Sequence, residues 1–82
     1  NIPITQEAKT IMSRLNEVIA QTEGLDENYQ LGAAYFLDDL SHEERWNLRI
    51  KGLLREYLRG IDPAGDKMAK LKEAYFQQQD SE

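Results

Sequence analysis

Apolar residues recur every three or four positions in the first quarter of the chain, which is the spacing of one face of an α-helix. The residues of this face are Ala8, Ile11, Met12, Leu15, Val18 and Ile19. Thr5 stands where its hydroxyl can cap the first turn, and Gly24 stands where a left-handed residue can end the helix. The pattern therefore predicts a first helix from about Thr5 to Thr22.

The next apolar segment, residues 29–40, is short and is interrupted by Gly32. It predicts a turn around Leu31 and Gly32, followed by a short helix that ends near Asp38 and Asp39. A short strand is the alternative, because periodicity cannot distinguish a helix from a strand in so short an apolar run.

The third segment begins with a capping box, the four residues from Ser41 to Glu44. Gly60 is placed to end this helix, and Gly52 lies inside it. An interior glycine costs about 1 kcal/mol relative to alanine, so we expect a kink or a break at Gly52. The apolar face of this helix consists of Trp46, Ile50, Leu53, Leu54, Tyr57 and Leu58.

A fourth helix is predicted after Asp62, with Pro63 at its first position, where a missing N–H group does no harm. Its apolar stripe consists of Met68, Leu71 and Tyr75, with Ala64 or Phe76 beside it. Four amphipathic segments joined by short loops predict an all-α fold, a small four-helix bundle that forms one domain over residues 1–82.

Composition excludes several classes of protein. The chain has no cysteine, so disulfides and thiolate metal sites are absent, and its formal net charge of -5 disfavours binding to phosphate backbones. No apolar run approaches the roughly 20 residues of a transmembrane helix. We expect a cytoplasmic protein without a membrane partner, for which direct binding to nucleic acid is not expected.

Candidate chemistry is sparse. His42 is the only histidine, and the carboxylates of Asp38, Asp39, Glu43 and Glu44 lack the ligand spacing of a calcium loop. We interpret His42 as a solvated residue at a helix start, and the carboxylates as groups favoured by the helix dipole. The sequence contains neither a phosphate-binding loop nor a recognisable nucleophile with its base, so we expect no catalytic residue and no metal ligand.

The third helix offers a surface candidate. On a regular α-helix its arginines fall opposite the apolar face, together with Leu48 and Gly52. These side chains are suited to a partner's carboxylates or to phosphates, although a solvated face partly neutralised by Glu56 is the simpler alternative. The aromatic residues are interpreted as core rather than as a platform for bases. The predicted interface residues are Arg45, Leu48, Arg49, Arg55 and Arg59.

Three blocks of sequence carry a family resemblance. They are Leu15-Asn16 with Ile19, Tyr29-x-Leu-Gly-x-x-Tyr-Phe36, and Trp46 with Ile50-x-x-Leu-Leu-x-Glu-Tyr57. In order and spacing they resemble the C-terminal helical lid subdomain of AAA+ NTPases of the McrB type, from about Leu15 to Leu58. The chain differs from that family's usual pattern in having Ala33-Ala34 in place of His-Ser, Gly52 in place of Pro, and Leu58 in place of Phe.

The resemblance implies a mechanical role. Such lids pack on the nucleotide-binding core of their own subunit and on neighbouring subunits of a ring, and they change angle with nucleotide state. It implies that this chain is the C-terminal part of a longer AAA+ ATPase, which hydrolyses ATP or GTP with Mg²⁺ and works with a nuclease partner. The chain itself would hold no cofactor and catalyse nothing. The residues placed nearest the nucleotide would be Leu31, Gly32 and Ala33.

Two other classes of protein remain open at this point. One is a freestanding helical interaction module, such as an adaptor or an antitoxin-like protein, which the acidic charge and the lack of catalytic motifs both allow. The other is a nucleic-acid-binding protein, and it rests on the arginines of the third helix alone.

Overall fold

The computed structural model describes residues 4–77, whose regular secondary structure is entirely helical, with no β-strand among them. Three long helical elements surround one core: α1 (Gln6–Gln21), a continuous composite helix over residues 42–57, and α4 (Asp66–Phe76). The composite helix contains α2 (His42–Arg45), a π-helical segment (Trp46–Ile50) and α3 (Lys51–Tyr57) in succession. The all-α prediction is confirmed. In chain order the elements are α1 (Gln6–Gln21), the 3₁₀ turns η1 (Glu27–Tyr29) and η2 (Ala33–Phe36), α2 (His42–Arg45), the π segment (Trp46–Ile50), α3 (Lys51–Tyr57) and α4 (Asp66–Phe76).

Both ends of α1 form as its sequence predicts. The Thr5 hydroxyl accepts a hydrogen bond from the Ala8 N–H at 3.0 Å, which satisfies one of the free donors of the first turn. Gly24 has a φ angle of 94°, in the left-handed region that favours glycine. A β-carbon there would also lie 2.7 Å from the Ile61 δ-carbon, so Gly24 lets the turn after α3 pack against the end of α1.

The second of the four predicted helices is only the four-residue turn η2, so the bundle has three long helices rather than four. The capping box of the composite helix is present: the Ser41 hydroxyl accepts from the Glu44 N–H at 3.1 Å, and the Glu44 carboxylate accepts from the Ser41 N–H at 2.9 Å. This helix start is therefore fixed by its own side chains.

The composite helix departs from regular α geometry between Trp46 and Ile50. Here the Lys51 N–H donates to the Trp46 carbonyl, a bond that spans five residues instead of four. The extra residue rotates everything after it by about 100° relative to a regular α-helix. The irregularity predicted at Gly52 thus exists, but it lies just upstream of that glycine. It directs Ile50 and Leu54 into the core together with Trp46.

Helix α4 begins at Asp66 and not at Pro63, so the predicted start is wrong. The Asp62 carboxylate accepts hydrogen bonds from the Lys67 and Met68 N–H groups, each at 3.0 Å, and it thereby caps the first turn from four residues upstream of Asp66. These backbone hydrogen bonds, first of all that from Lys67, lower the pKa of the Asp62 carboxyl. Gly65, with a φ angle of 79°, turns the chain into the helix.

One apolar core joins the three long helices. Its buried apolar residues on the three long helices lie on the predicted stripes, except that Ala74 is buried on α4 where Ala64 and Phe76 are exposed. The Arg14 guanidinium donates to the carbonyls of Ala74, Tyr75 and Gln77, so a side chain of α1 caps the C-terminal end of α4. Within residues 4–77, no helix combines the length and the apolar character that a membrane crossing requires. Core residues with at most 1% exposure are Ala8, Leu15, Ile19, Phe36, Ile50, Leu54, Leu71 and Tyr75.

Candidate functional site

The segment that the sequence places nearest a nucleotide is held at its start by Asn16 of α1. The Asn16 side-chain oxygen accepts from the Leu31 N–H at 2.7 Å, and its NH₂ group donates to the Leu31 carbonyl at 2.9 Å. The Leu31 side chain is buried. The backbone polar groups of Leu31 are thus bonded to Asn16, and its side chain belongs to the core.

Gly32 and Ala33, in contrast, are exposed at the start of η2. The Gly32 carbonyl accepts from the Tyr35 N–H at 3.2 Å, which closes the 3₁₀ turn. Gly32 has a φ angle of -82°, and a β-carbon there would meet nothing within 4 Å. A larger residue would therefore fit at position 32. The same open space lets another molecule approach the exposed Gly32 backbone closely.

The same segment is held at its other end by a buried ion pair between Asp38 and Arg45. The Arg45 Nη2 atom lies 2.8 Å from Asp38 Oδ1, and Arg45 Nε lies 3.1 Å from Oδ2. The two side chains are only 4% and 8% exposed. The hydrogen bond from Arg45 lowers the pKa of the Asp38 carboxyl. Such a two-pronged pair fixes the orientation of both groups.

The burial of Arg45 corrects the prediction that it lies on an exposed face with the other arginines. That prediction assumed a constant period of 3.6 residues. Because the π segment begins directly after Arg45, the core side chains that follow are rotated towards it. Arg45 thus borders the core, and the Asp38 carboxylate compensates its charge there.

Arg45 also contacts side chains from three other places in the fold. Its Nη1 atom lies 3.1 Å from His42 Nδ1 and 3.4 Å from the Tyr75 hydroxyl, and its guanidinium carbon lies 5.4 Å from the centre of the Phe36 ring. The Tyr75 hydroxyl in turn donates to the His42 carbonyl at 2.8 Å. We call Asp38, His42, Arg45 and Tyr75 the Arg45 cluster. It connects the segment after η2 with the composite helix and α4.

The electrostatics of the Arg45 cluster favour a permanent positive charge. Burial by itself would lower the pKa of Arg45, but its hydrogen bonds to Asp38 and Tyr75 outweigh that effect and raise it. Burial also raises the pKa of the Tyr75 hydroxyl, which stays a neutral donor. Because a guanidinium group can only donate hydrogen bonds, His42 Nδ1 must accept the hydrogen bond from Arg45.

His42 is half-buried and hydrogen-bonded rather than simply solvated. Its Nε2 atom lies 3.8 Å from a carboxylate oxygen of Glu7. Residues 4–77 contain no group of three or more ligand-type side chains that could hold a metal ion.

The remaining predicted interface residues divide into two groups. Arg49 turns towards the loop, with Nη1 lying 3.6 Å from Asp38 Oδ2 and Nη2 donating to the Ala34 carbonyl at 3.4 Å. Leu48 is 72% exposed, and Arg55 and Arg59 are exposed beyond it. Arg59 pairs with Glu56 at 2.8 Å in solvent. Together with exposed Gly52 they recur at helical spacing, and we call Leu48, Gly52, Arg55 and Arg59 the Leu48 surface.

Sequence reasoning assigned no structural role to Asn16, and it missed the pairing of Asp38 with Arg45. For Asn16 a signal was present, because it directly follows core residue Leu15 at the edge of the apolar stripe of α1. A polar residue at such an edge usually bonds to neighbouring backbone. For Asp38 and Arg45 the sequence held no comparable signal, since their meeting depends on the π segment.

Comparison with known families identifies the chain. The family model described as McrB, alpha-helical lid domain, matches residues 7–64. The matched region includes Asn16, the Asp38–Arg45 pair and the whole Leu48 surface. Comparisons with curated proteins and with solved structures found no match. Because the family model covers most of the chain, and because the fold is the helical one that it describes, this chain belongs to the McrB alpha-helical lid domain family.

Proposed function

We propose that this lid couples the nucleotide state of a McrB-like AAA+ core to movement between domains and subunits, and that it catalyses nothing by itself. The observation that carries the proposal is the family match over residues 7–64. In this proposal the core binds and hydrolyses ATP or GTP with Mg²⁺. The lid's partners are its own core and neighbouring subunits of a ring, and the parent works with a nuclease.

The internal contacts of the lid support a role as a rigid lever. The exposed turn at Gly32 and Ala33 lies between two fixed points, the Asn16 hydrogen bonds and the Arg45 cluster. Arg49 links that turn to the π segment through the Ala34 carbonyl. A displacement applied at Gly32 therefore moves the composite helix with it, because buried polar groups and packed side chains resist deformation.

The proposed nucleotide contact is confined to Gly32 and Ala33, and Gly32 offers a test. In the parent protein, Gly32→Ala should weaken nucleotide binding, because the added methyl group obstructs close approach of a base or ribose. It should not destabilise the lid, since nothing lies within 4 Å of the new atom and alanine adopts this backbone conformation without strain. Equal nucleotide affinity in the variant and the wild type would argue against a contact at this turn.

The coupling itself is tested in the parent protein. Its coding sequence should contain a phosphate-binding loop and an acidic magnesium-binding strand within about 250 residues before Asn1, about one to two domain lengths. A fluorophore on the core and another at exposed Ser13 of α1 should then change separation when a non-hydrolysable triphosphate replaces the diphosphate. A pair placed within the lid, at Ser13 and exposed Ala69 of α4, is the matched control and should not respond. A parent without a phosphate-binding loop would refute the proposal, as would one that hydrolyses nucleotide while the first pair stays constant.

A further inference from the structure

Gly52 has no explanation within the fold of this chain. It lies in the interior of the continuous helix over residues 42–57, where glycine is the least favourable residue after proline. It is not among the glycines with positive φ, and a β-carbon at this position would meet nothing within 4 Å. The intramolecular structure would therefore accept alanine. Close approach of another backbone from outside is the physical reason that remains for a glycine here.

The neighbours of Gly52 on the helix indicate what approaches. Leu48, one turn earlier, is 72% exposed, which makes it the most exposed large apolar side chain of the described residues. Arg55 lies one turn later, Arg59 lies in the turn just after the end of the helix, and both are exposed. Residues 46–59 carry four basic side chains and one acidic side chain, within a chain of net charge -5. Positive charge is thus concentrated around an exposed leucine and an exposed glycine.

We propose that the Leu48 surface is the docking site for an α-helix that carries carboxylates and crosses the composite helix at Gly52. The absence of a β-carbon allows the two helix axes to approach closely, because the separation of packed helices is set by the side chains at their contact point. Leu48 inserts between side chains of the partner helix, and Arg55 and Arg59 pair with its carboxylates. The inference rests on the proposed function, because that helix belongs to the AAA+ core of the assembled parent.

The chain's lack of cysteines allows a direct test by alkylation. A thiol introduced by Leu48→Cys should react rapidly in the isolated chain and at least about tenfold more slowly in the assembled parent, as expected for a residue at an interface centre. Peptide mapping would separate this thiol from any others in the parent. Ala69→Cys, at an exposed position of α4, is the matched control and should react at similar rates in both. Equal reactivity of position 48 in the chain and in the parent would overturn the proposal.

Gly52→Ala separates docking from stability. In the isolated chain it should raise the melting temperature by about 4 °C, because alanine is the better helix former. In a parent that also carries Leu48→Cys it should restore much of the lost reactivity, because the new β-carbon holds the helices apart. Arg55→Glu should also restore reactivity, whereas Lys72→Glu, at an exposed position of α4, should not. If neither Gly52→Ala nor Arg55→Glu restores it, the docking geometry is wrong.

The outcomes distinguish this inference from the proposed function. A parent that hydrolyses nucleotide and changes lid angle, while position 48 stays fully reactive, refutes the docking surface alone. A parent without nucleotide hydrolysis refutes the proposed function. Nucleic acid is the competing occupant. If position 48 becomes protected only when DNA is added, with binding that weakens steeply with salt, the partner is not an acidic helix and the proposal fails.

Discussion

Replacing Asp38 with asparagine tests whether the burial of its ion pair with Arg45 determines the stability of this small domain. The chain offers a matched comparison. The Arg45–Asp38 and Arg59–Glu56 pairs both have a closest N–O distance of 2.8 Å, but the first is 4% and 8% exposed whereas the second is 78% and 63% exposed. If the N–O distance alone determined the loss of stability, breaking either pair would cost the same. If burial determines it, breaking the buried pair costs far more.

The magnitude follows from what each substitution leaves behind. Asp38→Asn leaves the Arg45 guanidinium buried without a counter-charge, and breaking a buried pair in this way costs about 3–5 kcal/mol. We expect about 3 kcal/mol, the lower end of that range, because the new amide oxygen still accepts a hydrogen bond. Arg59→Ala breaks a solvated pair and should cost less than about 1 kcal/mol. A domain of this size is stable by about 4–12 kcal/mol, so the first loss is a large fraction of the total.

Urea unfolding of the isolated chain measures these differences. Trp46 is the only tryptophan and is 2% exposed, so its fluorescence reports the folded core, and circular dichroism provides an independent probe. The double variant Asp38→Leu with Arg45→Met removes both charges and should lie within about 1 kcal/mol of the wild type. Equal losses of unfolding free energy for Asp38→Asn and Arg59→Ala would refute the conclusion that burial determines the contribution of the ion pair. A double variant no more stable than Asp38→Asn would do the same.

Three further predictions follow from the contacts. The pKa of Asp38 is lowered in the folded chain, so its contribution to stability is present above about pH 4 and is lost as the pH falls through the lowered value. The urea midpoint of Asp38→Asn should accordingly fall less between pH 7 and pH 3 than that of the wild type; parallel curves would contradict this. Asn16→Ala removes two hydrogen bonds to Leu31 and should destabilise the chain by about 2 kcal/mol, with faster amide exchange at Leu31; unchanged exchange there would show that other contacts hold the segment. Ser41→Ala removes the capping hydroxyl and should cost about 1 kcal/mol in the same denaturation assay, whereas the exposed Ser13→Ala should be nearly neutral.

Features encoded by neighbouring residues could be predicted from the sequence. The apolar stripe of α1, its Thr5 cap, its left-handed end at Gly24 and the capping box at Ser41 all depend on spacings of a few residues. The start of α4 could not be predicted in the same way. Pro63 is acceptable at a helix start, but the Asp62 carboxylate captures two N–H groups further along and moves the first turn to Asp66.

The candidate site was harder to predict because it depends on helix phase. A constant helical period places Arg45 with the exposed arginines, whereas the π segment beginning at Trp46 moves it to the edge of the core. Neither Asp38 nor Arg45 indicates its partner in the sequence, since their pairing depends on where the composite helix lies in the folded chain. Leu48 was identified correctly as an apolar residue on a polar face, because its exposure can be inferred from residues close to it in sequence.

The π segment also has a consequence for how this family can diversify. If substitutions between positions 46 and 50 restored regular α geometry without changing the length of the chain, every later side chain of the helix would swing by about 100° around its axis. Arg55 would then point in a new direction although it had not itself been substituted. A change in helix geometry alone would thus create a different binding face, so closely similar sequences can recognise different neighbours.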